Sequence, residues 1–112
     1  MVATRLTIWA PVVLWAGLIF TLSSIPSLDS GLGTWDLVLR KLAHFAEYAI
    51  LGALLLRALR REPVAVLLGS AYALTDEVHQ AFVTGRQGSP LDWALDTAGV
   101  LLGVVLFARW PR

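Results

Sequence analysis

Hydrophobic positions fall into four long stretches along the chain, 6–22, 37–59, 64–83 and 90–109, separated by short polar or turn-forming segments. The first is uncharged throughout, whereas the other three are divided. Segment 37–59 carries Arg40, Lys41, His44 and Glu47 toward its start and Arg57 near its end, 64–83 gathers Asp76, Glu77, His79 and Gln80 in its last third, and 90–109 places Asp92 and Asp96 in its first third. A membrane-crossing helix needs roughly 17–25 mainly apolar residues, and each stretch meets that length. The pattern predicts an all-α polytopic membrane protein, a compact bundle of four transmembrane helices forming a single domain over 1–112.

The breaks between stretches fit this reading. Pro63 and Pro90 fall where the third and fourth helices begin, positions that need no backbone donor. Pro11 is expected within about two turns of the first helix start, where proline is tolerated. The turn-rich segment SSIPSLDSGLGTWD, 23–36, is expected to hold a short interfacial helix around Trp35 between helices 1 and 2. The connections LRREP (59–63) and TGRQGS (84–89) are short enough to make consecutive helices antiparallel neighbours.

Composition strengthens the membrane assignment. Apolar residues make up 57% and charged residues 15% of the chain, with a mean hydropathy of +0.70, against roughly 45–50% apolar and 25% charged in soluble domains. Nine Lys and Arg against eight Asp and Glu leave a net charge of +1, with no basic stripe to suit a nucleic acid. The absence of cysteine excludes disulfide and thiolate chemistry. The first stretch follows Arg5 as a secretory signal would, but no small-x-small cleavage site follows near Pro26, so a retained span is expected. With both termini cytoplasmic, Arg5, Arg57, Arg60, Arg61, Arg109 and Arg112 lie inside and Arg40, Lys41 and Arg86 outside, a positive-inside arrangement.

That orientation brings the three polar segments to one depth, beneath the extracytoplasmic surface. At about 1.5 Å rise per residue, Asp76 lies roughly 10 Å and Gln80 roughly 4–5 Å below Val83. An ionisable group facing lipid costs at least about 2.5–3.5 kcal/mol, so groups at matched depth are driven to face one another. His44 and Glu47 share a face at i and i+3, as do Asp76, His79 and Gln80 at i, i+3 and i+4. Glu77 points about 100° away from Asp76, so the two carboxylates spread toward different neighbours. Asp92, Asp96, Gly99 and Gly103 form one stripe, whose lower part, GVLLG, is a small-xxx-small surface for close helix contact.

Two accounts of this convergence compete: a structural network that only holds the bundle together, and a functional polar pocket opening outward. For the second, His44, Glu47, Asp76, Glu77 and His79 offer nitrogen and oxygen donors to a divalent metal such as zinc or manganese, though neither H-x-x-E nor D-E-x-H is the H-E-x-x-H of zinc proteases. The competing use of either histidine is a hydrogen bond to a carboxylate across the helix interface. A hydrolase acting on a lipid-linked or cell-envelope phosphate would use Glu77 or Glu47 as base, His44 or His79 as acid, and Arg86, Arg40 or Lys41 as phosphate clamp. Ser23 and Ser24 are nucleophile candidates better suited to helix-end duty. A non-enzymatic binder of lipid or cell-wall precursor headgroups needs the same pocket without turnover. A transporter or proton relay is disfavoured because the inner halves of the last three helices hold few polar residues beyond Ser70, Tyr72 and Thr75.

The blocks KLAHFAEYAILG (41–52) and TDEVHQAFVTGRQGSPLDWALDTAGVLLG (75–103), with Ser23, Ser24 and four spans, resemble the VanZ-like membrane proteins over nearly the whole chain. The resemblance implies a small polytopic membrane protein, a namesake associated with glycopeptide (teicoplanin) resistance, and membrane lipid, a lipid-linked cell-wall precursor or a glycopeptide as partner; whether a reaction is catalysed, and the oligomeric state, stay open. Its motif positions fall on His44, Glu47 and Tyr48, on Asp76, Glu77, His79 and Gln80, on Gly85, Arg86 and Ser89, and on Asp92 and Gly99. Where the family pattern often has asparagine, this chain has Asp96, which adds an acid to the pocket. The expected site residues are therefore His44, Glu47, Asp76, Glu77, His79, Gln80, Arg86 and Asp92.

Overall fold

The structure is a computed structural model that describes residues 2–24, 34–83 and 89–111. Among these, four helices follow in order: α1 (Val2–Ser24), α2 (Thr34–Leu59), α3 (Glu62–Gln80) and α4 (Pro90–Ala108). The all-α four-helix architecture is as the apolar pattern predicts, and several boundaries differ for local reasons. α1 starts before residue 6, so Pro11 lies in its interior. Proline lacks the N–H that would bond the carbonyl four residues back, and the Thr7 carbonyl instead accepts a 3.5 Å hydrogen bond from Arg57 Nη1 of α2. Among the described residues no separate interfacial helix precedes α2: Trp35 belongs to its first turn, and residues 25–33 of that segment lie outside the described residues.

α2 and α3 are joined by Arg60 and Arg61 alone. Arg60 takes the left-handed conformation (φ 61°), and its N–H donates to the Leu56 carbonyl at 2.7 Å, the αL helix ending usually assigned to glycine. α3 ends at Gln80, short of residue 83, because Phe82 and Val83 turn back to donate to the His79 and Gln80 carbonyls. Ser89 caps α4 by accepting from the Asp92 N–H at 3.0 Å, with Pro90 in the first turn.

The helices run up, down, up and down. α2 and α4 are therefore parallel neighbours in register: Lys41 meets Asp92, His44 meets Asp96, Phe45 faces Gly99 and Ala49 faces Gly103. A Cβ on Gly99 would lie 2.6 Å from the Phe45 carbonyl oxygen, and one on Gly103 or Gly52 would collide with the backbone of Ala49 or Val100. The small-residue stripe thus sets the separation of α2 and α4. α3 packs antiparallel to both, with Gly69 against Val100 and Leu55. α1 rests on α2 and α3 only, anchored where the Trp15 indole donates to the Glu47 carbonyl (2.8 Å) and the Tyr72 hydroxyl to the Ala16 carbonyl (2.5 Å). Ile19, Tyr48, Leu51 and Val100 are the large fully buried apolar residues between the helices.

Three of the four helices are long and apolar enough to cross a membrane: α1 over Arg5–Ser24, α2 over Val38–Leu59 and α4 over Pro90–Ala108. The expected fourth span does not qualify by composition, since Asp76, Glu77, His79 and Gln80 lower the average hydropathy of α3. Its outward face is nonetheless apolar, with Val64, Leu67, Leu68, Leu74 and Val78 exposed, while Ala65, Gly69, Ala73, Asp76, Glu77 and Gln80 turn inward.

Candidate functional site

Up-and-down topology places the C-terminal turns of α1 and α3 and the N-terminal halves of α2 and α4 at one end of the bundle. There Asp76 and Glu77, adjacent on α3, turn to different neighbours. Asp76 faces α1 and α2: its Oδ2 accepts from the Tyr48 hydroxyl at 2.9 Å and the Ser23 hydroxyl at 3.0 Å. Glu77 faces α4, its Oε2 accepting from the Ser89 N–H at 3.4 Å. His44, stacked nearly parallel on Tyr48 at 5.1 Å, directs Nε2 between two carboxylates, 3.3 Å from Asp76 Oδ2 and 3.3 Å from Asp96 Oδ1.

Those approaches are close, but neither is aligned as a hydrogen bond. His44 Nε2, Asp76 Oδ1, Glu77 Oε1 and Asp96 Oδ2 are all buried without a hydrogen-bond partner among the described residues. A buried unsatisfied polar atom costs about 1–3 kcal/mol, more when charged, so the three carboxylate oxygens beside His44 mark a place that favours a cation. His44, Glu77 and Asp96 each present one donor atom, all within 4.8 Å of one another. Neighbouring ligands about a tetrahedral or octahedral divalent ion with bonds of ~2.0–2.2 Å stand roughly 3.0–3.5 Å apart, which the 3.3 Å from His44 Nε2 to Asp96 Oδ1 matches. One imidazole and two carboxylates from three helices can hold a divalent metal.

The donor set differs from the one expected on sequence. Asp96 joins it, while Glu47 and His79 stand outside the group of three. Glu47 is half-buried on α2, its carbonyl bound by Trp15 of α1; Tyr48, one residue on, takes the place beside His44. His79 is held against α1, stacked on Phe20 at 4.3 Å, with Nε2 2.8 Å from the Ser24 hydroxyl. Asp76 borders the group through His44. Gln80 is buried at the same end, Asp92 is paired with Lys41 one turn above Asp96, and Arg86 lies outside the described residues.

Tyr48, known beforehand only as a motif position of the resemblance, and Ser23, only as a nucleophile candidate, are the donors to Asp76. Tyr48 could have been found from its i+4 spacing to His44, which puts the two rings on one face. Asp96 had the same signal, lying four residues after Asp92. Ser23 had none within its own helix, because its role depends on how α1 docks.

Membrane-length apolar helices enclosing a buried imidazole–carboxylate cluster define a small polytopic membrane protein with a polar centre near one end. The VanZ/LLP1 family model matches residues 6–110, and the chain belongs to that family of cell-envelope membrane proteins associated with antibiotic resistance. No curated protein and no solved structure is significantly similar to the chain.

Proposed function

We propose that the chain is a membrane-embedded, metal-dependent hydrolase acting on a lipid-linked or cell-envelope phosphate. The observation that carries this reading is the convergence of His44, Glu77 and Asp96 from three helices with buried atoms left unsatisfied, inside a bundle whose exterior is apolar. The oxygen-rich donor set suits manganese, with zinc the alternative. Held by His44, Glu77 and Asp96, such an ion would supply Lewis-acid chemistry toward a phosphoryl oxygen and make water easier to deprotonate. Asp76, with Oδ2 held by Tyr48 and Ser23 and Oδ1 buried without a partner among the described residues, is the base assigned to the proton of the attacking water. The new bond is from water oxygen to phosphorus, and the bond broken joins phosphorus to the leaving oxygen.

In this reading α3 is the fourth span. Its 19 residues rise about 28 Å, close to the ~30 Å hydrocarbon thickness, and its acids face inward. The bias of arginines toward the opposite end of the bundle supports a topology with both termini in the cytoplasm and the cluster beneath the outer surface. Gln80, buried at this end of the bundle, and Arg86, which follows α3 in the sequence, are the contacts assigned to the phosphate.

The test is turnover of a labelled polyprenyl phosphate by purified protein in nanodiscs, with metal content measured on the same sample. Phosphate release with Mn²⁺ is expected, abolished by EDTA and reduced at least 100-fold, on the scale of lost metal or base catalysis, in His44→Ala, Glu77→Gln and Asp96→Asn. Saturable lipid-phosphate binding without turnover would replace the hydrolase with a headgroup-binding protein. Full activity in the metal-depleted protein would remove the ion from the reading.

A further inference from the structure

The ion pair between Lys41 of α2 and Asp92 of α4 lies on the same seam as His44 and Asp96, one helical turn nearer the end of the bundle. Exposure falls along this seam. The side chains of Lys41 and Asp92 are 38% and 26% exposed, His44 is 17% exposed, and Asp76 and Asp96 are at 1% and 3%. A ligand approaching the cluster along α2 and α4 therefore meets Lys41 before His44. Charge makes that meeting consequential: Asp76, Glu77 and Asp96 outnumber the two charges of a divalent ion, so an anionic phosphate needs a further cation to enter.

We propose that Lys41 is the phosphate-receiving cation of the site and that Asp92 is its resident counter-ion, displaced from the ammonium when a phosphate oxygen arrives. This assignment rests on the hydrolase reading and names how its substrate class is recognised. Asp92 keeps the flexible lysine directed over the seam. Its own N–H is tied to Ser89 Oγ, so its backbone stays in place while the carboxylate is exchanged for phosphate. The ligand chemistry is a phosphate oxygen, whether of a lipid headgroup or of free phosphate.

A structural ion pair and a phosphate receptor predict different signs. If Lys41 and Asp92 only join α2 to α4, Lys41→Met and Asp92→Asn weaken ligand binding alike, through loss of stability. In the receptor, Lys41→Met weakens binding roughly tenfold or more, the scale of one charge-assisted hydrogen bond, whereas Asp92→Asn removes a competitor and strengthens it. Lys41→Arg retains binding.

The experiment titrates inorganic phosphate and, separately, farnesyl phosphate into purified full-length protein in dodecyl maltoside, with and without Mn²⁺. Thermal stability and bound Mn²⁺ are recorded on the same samples. Opposite shifts for Lys41→Met and Asp92→Asn with either ligand support the assignment, and the two arms show which phosphate source is accepted. Equal or same-direction shifts overturn it. Failure to retain Mn²⁺ in the wild type would instead count against the metal reading, and it registers separately from the phosphate titrations.

Discussion

Replacing Gly99 by alanine should damage the bundle and the cluster together. The added Cβ would stand 2.6 Å from the Phe45 carbonyl oxygen and 3.3 Å from Tyr48 Cβ, whereas ordinary contact begins at 3.4 Å. The nearer obstacle is helix backbone and has no rotamer to change, so α2 and α4 must separate by most of an ångström. Overpacking of this kind costs about 1–3 kcal/mol. Asp96 precedes Gly99 by one turn of α4, and His44 adjoins Phe45 on α2, so the same movement opens the 3.3 Å approach of His44 to Asp96. Unfolding of the purified protein in detergent, paired with Mn²⁺ titration, should show lower stability and weaker binding. Gly17→Ala is the control, because nothing lies within 4 Å of its added Cβ, and exchanging glycine for alanine within a helix gains up to about 1 kcal/mol. If Gly99→Ala matches this control in both measurements, α2 and α4 are not held at the distance described.

Tyr48→Phe removes one of the two hydroxyl donors to Asp76 Oδ2, and denaturation in detergent should show a loss of about 1.5–3 kcal/mol, the range for a hydrogen bond to a charged group. Ser23→Ala in the same background should show a non-additive loss, since both serve one oxygen. Cysteine introduced at Thr84 or Gln87 into this cysteine-free chain should react with an impermeant thiol reagent in intact cells; reaction only after lysis would reverse the proposed orientation.

Much of the architecture is legible in the amino-acid order because lipid and water impose opposite demands on long segments. Four apolar stretches gave four helices, and their divided polarity gave one polar end. The step of about 100° between adjacent helical residues explains why Asp76 and Glu77 separate toward different helices. Rotation about each helix axis is less legible, since it depends on contacts formed by the partners. Sequence spacing allowed either Glu47 or Tyr48 to stand beside His44, and it is the Tyr48 ring that stacks on the imidazole. His79 was similarly taken by Ser24 and Phe20. Asp96 looked like an added charge until the parallel register of α2 and α4 set it opposite His44. One helix end was misplaced where a turn altered local hydrogen bonding, after Gln80, and α1 simply begins earlier than its apolar stretch.

The inward placement of acids on α3 also has a consequence for biogenesis. A helix ending in Asp76, Glu77, His79 and Gln80 is a poor passenger if it leaves the translocation channel alone. On the proposed four-span topology, it would partition once α2, already synthesised, offers His44 and Tyr48, and once α4 follows with Asp96. Insertion of α3 is therefore expected to be a joint event with its neighbours, completed only when α4 has emerged from the ribosome.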